Sequence, residues 1–187
     1  MVSWFRALAA VAALVLVSVA GPALAADPEN TLYLDLTYGR VVIELRPDLA
    51  PSHVKRVKEL VRRGFYDGLS FHRVIKGFMA QGGDPLGDGT GGTGHKIKLE
   101  PSSEPFVRGV VGMARSDDPD SGDSQFFIMT GPKPSLDHLY TVFGKVVSGM
   151  EFVDKIKLGS EEDNGQVVNP DRIIRMQVAA DVDKGKS

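Results

Sequence analysis

Leu32, Leu34 and Leu36 alternate with Tyr33, Asp35 and Thr37. A period of two puts the three leucines on one face and predicts a half-buried strand. Thr37-Tyr38-Gly39-Arg40 predicts a turn, and Val41, Ile43 and Leu45 a second strand, so the two form a hairpin. The period then changes. Pro51 suits the first position of a helix and Gly64 its end, and between them Val54, Val57, Leu60 and Val61 fall on one helical face. Lys55, Arg56, Lys58, Glu59 and Arg62 fall largely outside that face and read as its solvated side. Short apolar runs follow at Phe71–Ile75, Phe78–Gln81, Lys96–Leu99, Val107–Met113, Gln125–Thr130 and Tyr140–Val147, separated by Gly-rich and Pro-rich segments. A second helix is predicted over about Met150–Leu158 and a last strand over about Ile173–Val178. Many short strands with two helices predict a mainly β fold, a closed or nearly closed barrel with helices over its ends.

The first residues have a different pattern. Arg6 is the only charge before Asp27, and Ala7 to Val19 are apolar except for Ser18. Gly21 and Pro22 break a helix, and Ala23-Leu24-Ala25 offers small residues around a cleavage point. This is the layout of a secretory signal peptide over residues 1–25, cleaved after Ala25. An uncleaved anchor is the alternative, since Ala7 to Ala26 is just long enough to span a bilayer, but Gly21 and Pro22 interrupt it. Residues 26–187 would remain, without the lone Trp4, as one domain with its core at about 31–178.

Composition narrows the chemistry. The charged fraction is 25% and the hydrophobic fraction 42%, ordinary for a globular domain and unlike a disordered or multi-span membrane chain. The net charge of −2 leaves no positive excess to drive nucleic-acid binding. With no cysteine, disulfides, thiol catalysis and Cys-based zinc or iron–sulfur sites are excluded. Such a chain suits export, because it needs no disulfide catalyst and cannot mispair.

Two segments carry candidate chemistry. In Phe71–Pro85, FHRVIKGFMAQGGDP, strand alternation puts Met79 and Gln81 on one face, and Arg73 sits in the preceding apolar run. An arginine in such a run needs a partner or a task. In SQFFIMT, Gln125, Phe127 and Met129 share one face while Phe126 and Ile128 take the other. His72 invites a general-base reading but is read as a structural, hydrogen-bonded histidine. His53, His95 and His138 show no metal-ligand spacing and read as surface residues. Asp117, Asp118, Asp120 and Asp123 do not match an EF-hand and read as a solvated acidic loop.

FHRVIKGFMAQGGDP, GTGG at Gly89–Gly92, GMA at Gly112–Ala114, SQFFI at Ser124–Ile128 and VFGKV at Val142–Val146 occur in an order that resembles the cyclophilin family of peptidyl-prolyl cis–trans isomerases. The resemblance spans about Thr31 to Val178 and is strongest to short exported bacterial members. It implies a closed eight-stranded antiparallel β-barrel capped by two α-helices. It implies catalysis by Arg73, with Gln81 hydrogen-bonding the substrate backbone. A proline pocket is implied from Phe78, Met79, Phe127 and Leu136, with Tyr140 at its rim. Ala114 and Arg115 would hold the residues before proline, and Gln125 with the Thr90–Gly91 loop would lie beside the same subsite. Neither cofactor nor metal is implied. The partners would be proline-containing unfolded or extended segments, not nucleic acid. The chain would act as a monomer without stable membrane association after cleavage, in a bacterial periplasm. A non-catalytic module that holds proline-containing chains in the same groove is the alternative, and a surface scaffold a blander third.

Three positions depart from the family pattern. Ser135 stands where many eukaryotic members have Trp, Tyr140 where His is usual, and Arg115 where Asn is common. Trp offers cyclosporin-type ligands an apolar wall and an indole donor. Ser135 offers neither, so weak cyclosporin binding with activity retained is expected.

Overall fold

A computed structural model describes residues 27–183. The signal peptide expected over residues 1–25, and Trp4 within it, lie outside them. The described residues form strands β1 (Thr31–Leu36), β2 (Gly39–Leu45), β3 (Arg73–Ile75), β4 (Met79–Gly82), β5 (Val110–Met113), β6 (Phe126–Met129), β7 (Val142–Ser148) and β8 (Arg175–Val178). Helices are α1 (Pro51–Arg62), α2 (Met150–Val153) and α3 (Ala179–Asp183), with short 3-10 turns at Pro28–Asn30 and Pro134–Leu136.

The eight strands make one sheet in the order β3-β4-β6-β5-β7-β2-β1-β8, and every neighbouring pair is antiparallel. The sheet curls into a half-barrel. Its end strands β3 and β8 are not ladder partners; the isolated bridge Ser70↔Arg172 joins two connecting segments, and Arg73↔Gln166 joins β3 to one. The β1–β2 hairpin forms as expected, but its turn is only Thr37-Tyr38: Gly39 and Arg40 already belong to β2, with Leu36 opposite Gly39.

α1 begins with Pro51 at its first turn, where a missing N–H costs nothing, and Gly64 beyond its end takes φ +66. Val54, Val57, Leu60 and Val61 are buried from that helix against the sheet. Its polar side is less solvated than the pattern suggests, because Arg56 donates to the Thr93 hydroxyl at 2.8 Å and Lys58 pairs with Glu29 at 3.2 Å.

Two apolar clusters occupy opposite faces of the sheet. The larger gathers Leu32, Leu34, Ile43, Phe71, Phe126 and Ile128 with the α1 face. The smaller gathers Met79, Phe106, Val110, Phe127, Met129 and Val142. The alternation in SQFFIMT thus sorts its side chains between two cores, because successive strand residues point to opposite faces.

Several expectations need correction. Among the described residues there are three α-helices where two were expected: α3 is additional, and α2 has only four residues, ending before Leu158. Lys96–Leu99 is not a strand; it makes a single bridge, Ile97↔Gly122, to the loop between β5 and β6. His53 is buried at 1% exposure, because its Nδ1 meets Glu100 Oε2 at 2.6 Å while Glu100 also accepts the N–H groups of Ser52 and His53. Glu100 thereby caps the first turn of α1. His95 and His138 are exposed, as expected. His72 is buried; by strict geometry neither ring nitrogen is satisfied among the described residues, and the Ser70 backbone is the partner within its reach. Asp123 is not simply solvated: it accepts from the Thr93 and Gly94 N–H groups at 2.9 and 2.8 Å and from the Thr93 hydroxyl.

Candidate active site

Strand register builds the site. β3 and β4 put Arg73 opposite Gln81, β4 and β6 put Gln81 opposite Phe127, and β5 and β6 put Gly112 opposite Phe127. Directly paired residues share a sheet face, so Arg73, Gln81, Phe127 and Gly112 form a row across four strands. Gly112 leaves the space that the Phe127 ring occupies. A Cβ there would overlap Phe127 and lie 2.8 Å from Phe106 Cε1.

The Phe127 ring stacks on Phe106 at 5.7 Å between centroids, with an interplanar angle of 29°. Tyr140 meets Phe127 edge-on at 6.0 Å and Phe106 at 6.4 Å. Offset and edge-to-face contacts of this kind are the favoured aromatic geometries. The triad backs a pocket of about 100 Å³ lined by Arg73, Phe78, Met79, Gln81, Ala114, Arg115, Phe127, Leu136 and Tyr140. Nine of the ten residues singled out by sequence therefore meet at one place. The tenth, Gln125, lies in an adjoining groove of about 430 Å³ that also includes Thr90, Gly91, Ala114 and Arg115.

Arg73 is half-buried, and no carboxylate among the described residues pairs with it. Its Nε donates to the Asn164 carbonyl at 2.9 Å, its Nη2 to Asn164 Oδ1 at 2.9 Å and its Nη1 to Gln81 Oε1 at 3.1 Å. Burial pulls the guanidinium somewhat below its usual value, with nearby Tyr140 acting the other way. An arginine so placed remains charged. Three of its five N–H groups are committed, which leaves one on each terminal nitrogen. Asn164 was missed by the sequence reading. It reaches Arg73 from 91 positions away, and its φ of +52 lies in the left-handed region that Asn tolerates. Asn164-Gly165 signals a turn, but not what the turn faces.

Gln81 and Gln125 are joined side chain to side chain, Gln81 Nε2 donating to Gln125 Oε1 at 2.9 Å. Gln125 Nε2 then donates to the carbonyls of Gly89 and Gly91 at 3.0 and 2.9 Å. Arg115 lies with Cζ 4.5 Å from the Tyr140 ring centroid and donates to the Leu139 and Ser116 carbonyls. Phe106, a wall of the aromatic triad, was also missed, since nothing around it in the sequence marks it apart from core.

The chain matches the family model described as cyclophilin type peptidyl-prolyl cis-trans isomerase/CLD over residues 31–178. It is 54% identical to a probable peptidyl-prolyl cis-trans isomerase of Brucella suis, over 96% of this chain and 98% of that one. It is 48% identical to peptidyl-prolyl cis-trans isomerase B of Bacillus subtilis, over 64% of this chain and 85% of that one. Among solved structures it resembles cyclophilin AquaCyp293 from Hirschia baltica, with a TM-score of 0.74 and 28% identity, covering 83% of this chain and 76% of that one. A cyclophilin type peptidyl-prolyl cis-trans isomerase of Cryptosporidium parvum, solved in the presence of the dipeptide Ala-Pro, gives a TM-score of 0.72 at 28% identity, covering 79% of this chain and 98% of that one. With its eight antiparallel strands, its row of Arg73, Gln81 and Phe127, and a family match over most of its length, this chain belongs to the cyclophilin-type peptidyl-prolyl cis–trans isomerases.

Proposed function

We propose that this isomerase accelerates Xaa–Pro rotation in exported polypeptides by donating from Arg73 to the twisted imide nitrogen while the proline ring sits in the apolar pocket. The barrier to be lowered is ~18–20 kcal/mol, because the nitrogen lone pair is delocalised into the carbonyl. Spontaneous exchange takes tens to hundreds of seconds, on the order of a slow folding step. No bond breaks, so neither nucleophile nor proton transfer is required. In the twisted state the nitrogen becomes pyramidal and its lone pair localises. A fixed cationic donor stabilises that state more than the planar one, and each ~1.4 kcal/mol of difference gives about tenfold in rate.

The observation that carries this reading is the setting of Arg73. It is a partly desolvated cation held by neutral acceptors, with two N–H groups uncommitted, at the edge of a pocket walled by Phe78, Met79, Phe127, Leu136 and Tyr140. A carboxylate partner would hold the guanidinium in an ion pair; Asn164 and Gln81 orient it without neutralising it. The remaining Gln81 N–H is available to a substrate carbonyl. The groove beside Ala114, Arg115 and Gln125 would take the residues before proline in extended form. The Cryptosporidium parvum relative solved with Ala-Pro supports proline-containing segments as the ligand class.

Export is supported by Arg6, the apolar run to Val19 and the small residues at Ala23–Ala25, with cleavage after Ala25 and a monomeric periplasmic enzyme as the outcome. Closure of the sheet into a full barrel belongs to the same reading. It is supported by the bridges Ser70↔Arg172 and Arg73↔Gln166 near its open edges.

Exchange NMR on a short Xaa-Pro peptide tests the mechanism, because it reads turnover at equilibrium without a coupling protease. Fast exchange with the parent and a loss of at least about tenfold for Arg73→Ala is expected, with Arg73→Lys failing to restore it. A folded parent without acceleration would leave only a peptide-binding groove, and an Arg73→Ala variant of full activity would remove the arginine from the mechanism.

A further inference from the structure

Asp84 follows β4 and is 1% exposed, yet no basic side chain among the described residues pairs with its carboxylate. It is held by its own loop: the N–H groups of Leu86, Asp88 and Gly89 donate to it at 2.8, 3.1 and 2.6 Å. Burial raises its carboxyl, but these backbone donors, with those of Gly87 and Gly91, outweigh that and hold it below the usual range. A buried anion wrapped in this way fixes the path of residues 84–91. The wrapping is close, because a Cβ on Gly91 would overlap Asp84 Oδ1 and lie 3.0 Å from the Leu86 nitrogen.

The loop in turn presents two carbonyls, those of Gly89 and Gly91, to Gln125. Carbonyls only accept, so the Nε2 end of Gln125 must face them and its Oε1 must face Gln81. Gln81 then has to donate from Nε2 to Gln125, which turns its own Oε1 to Arg73. Arg73 only donates, so the same direction is demanded from the other end. The two glutamine amides are thus aligned by the loop at one end and by the guanidinium at the other.

We infer that Asp84 is a positioning residue for catalysis: through the 84–91 loop it sets the amide polarity of Gln125 and Gln81 and so holds the donors of Arg73 and Gln81 aimed at the substrate bond. The inference rests on the role given above to Arg73. Without the carboxylate, Gly89 and Gly91 are free to move, Gln125 loses its acceptors, and either glutamine can rotate to offer Arg73 an N–H instead of an oxygen. The pocket that holds proline touches neither Asp84 nor the loop.

The test compares Asp84→Asn, Gly91→Ala, Gln125→Ala, the double variant Asp84→Asn/Gln125→Ala and Arg73→Ala. Each is measured by exchange NMR over a range of Xaa-Pro peptide concentrations. Asp84→Asn puts an amide donor against loop N–H groups, and Gly91→Ala forces the loop open without altering charge. For both, kcat is expected to fall about five- to tenfold, the consequence of losing roughly one well-placed hydrogen bond; KM should stay within about twofold for a peptide with a single residue before proline, and rise for longer peptides that enter the groove lined by Thr90 and Gly91. The side-chain amide resonances of Gln81 and Gln125 should move toward those of a free glutamine, a change that general destabilisation of a still-folded protein would not produce. The double variant should be no slower than Gln125→Ala alone by more than about twofold, because the two substitutions break one chain.

Unmoved amide resonances with unchanged kcat in folded Asp84→Asn would overturn the inference, as would fully additive losses. If Asp84→Asn does not fold, Gly91→Ala decides by the same readouts. Arg73→Ala separates the two claims. If it is inactive while both loop variants are unaffected, only the positioning role fails. If it keeps full turnover, the arginine mechanism itself fails, whatever the loop variants do.

Discussion

Arg115 lies over the Tyr140 ring, with its guanidinium carbon 4.5 Å from the centroid, and the same side chain donates to the Leu139 and Ser116 carbonyls. One cation therefore ties the loop that follows β5 to the segment that carries Leu136 and Tyr140, and all three residues line the same pocket. Arg115 and Tyr140 are both departures from the common family pattern, and they are partners.

Arg115→Ala should release Tyr140. A partly exposed cation–π contact contributes about 0.5–1 kcal/mol, and the lost carbonyl bonds add to it. KM for an Xaa-Pro peptide is expected to rise about three- to tenfold, with kcat within about twofold, in peptide titrations followed by exchange NMR. Arg115→Lys should not restore it, since an ammonium cannot keep the planar stack and the forked bonds together. A KM unchanged in Arg115→Ala would show that Tyr140 is held by Phe106 and Phe127 alone.

Gly112→Ala should disrupt the pocket from behind. The new Cβ would meet Phe127 and stand 2.8 Å from Phe106 Cε1, so both rings must shift. Overpacking of this kind costs about 1–3 kcal/mol. Thermal unfolding is expected several degrees below the parent, and turnover should fall with it. A variant of parental Tm and activity would mean that the triad repacks without strain.

The buried histidines set a pH dependence. Burial pushes both His53 and His72 below their ordinary value of 6.5; for His53 the Glu100 carboxylate opposes this without cancelling it. The folded state thus favours the neutral rings, while the unfolded chain takes up protons at the ordinary value. Stability is full above about pH 6.5 and is lost as pH falls from there through the lower folded values. Urea unfolding at pH 7 and pH 5 should show the loss. His72→Leu should reduce it, because it removes one of the two buried rings that resist protonation in the folded chain. An identical pH slope in His72→Leu would remove His72 from the account.

Ser135 is exposed on the 3-10 turn just before Leu136. It offers cyclosporin neither an apolar wall nor a ring N–H. Inhibition by cyclosporin is expected only above micromolar concentration, and Ser135→Trp should tighten it at least about tenfold while leaving turnover within about twofold. A sub-micromolar inhibition constant for the parent would refute this.

What could be read from the chain and what could not divide along physical lines. The β1–β2 hairpin and α1 were legible because each buries one continuous face, and a buried face imposes its period on neighbouring residues. The two-sided character of SQFFIMT was legible for the same reason. Lys96–Leu99 misled because its short apolar alternation has no neighbour to pair with beyond the bridge at Ile97. α2 stops early and α3 was unseen, because four or five residues are too few for a helical period to declare itself. His53 was misjudged because its burial depends on Glu100, 47 positions away.

The sequence by itself determined the local elements, the set of residue types available for chemistry and, through five ordered motifs, the family. Those are properties of neighbours along the chain or of patterns carried in it. Tertiary structure alone decided which acceptors hold Arg73, that Phe106 backs Phe127, and that the carbonyls of Gly89 and Gly91 face Gln125. Each of these depends on strand register and loop path across tens of residues. Hydrogen-bond direction and ring contact are set by distances of a few ångströms, and only the folded chain brings such distant residues that close.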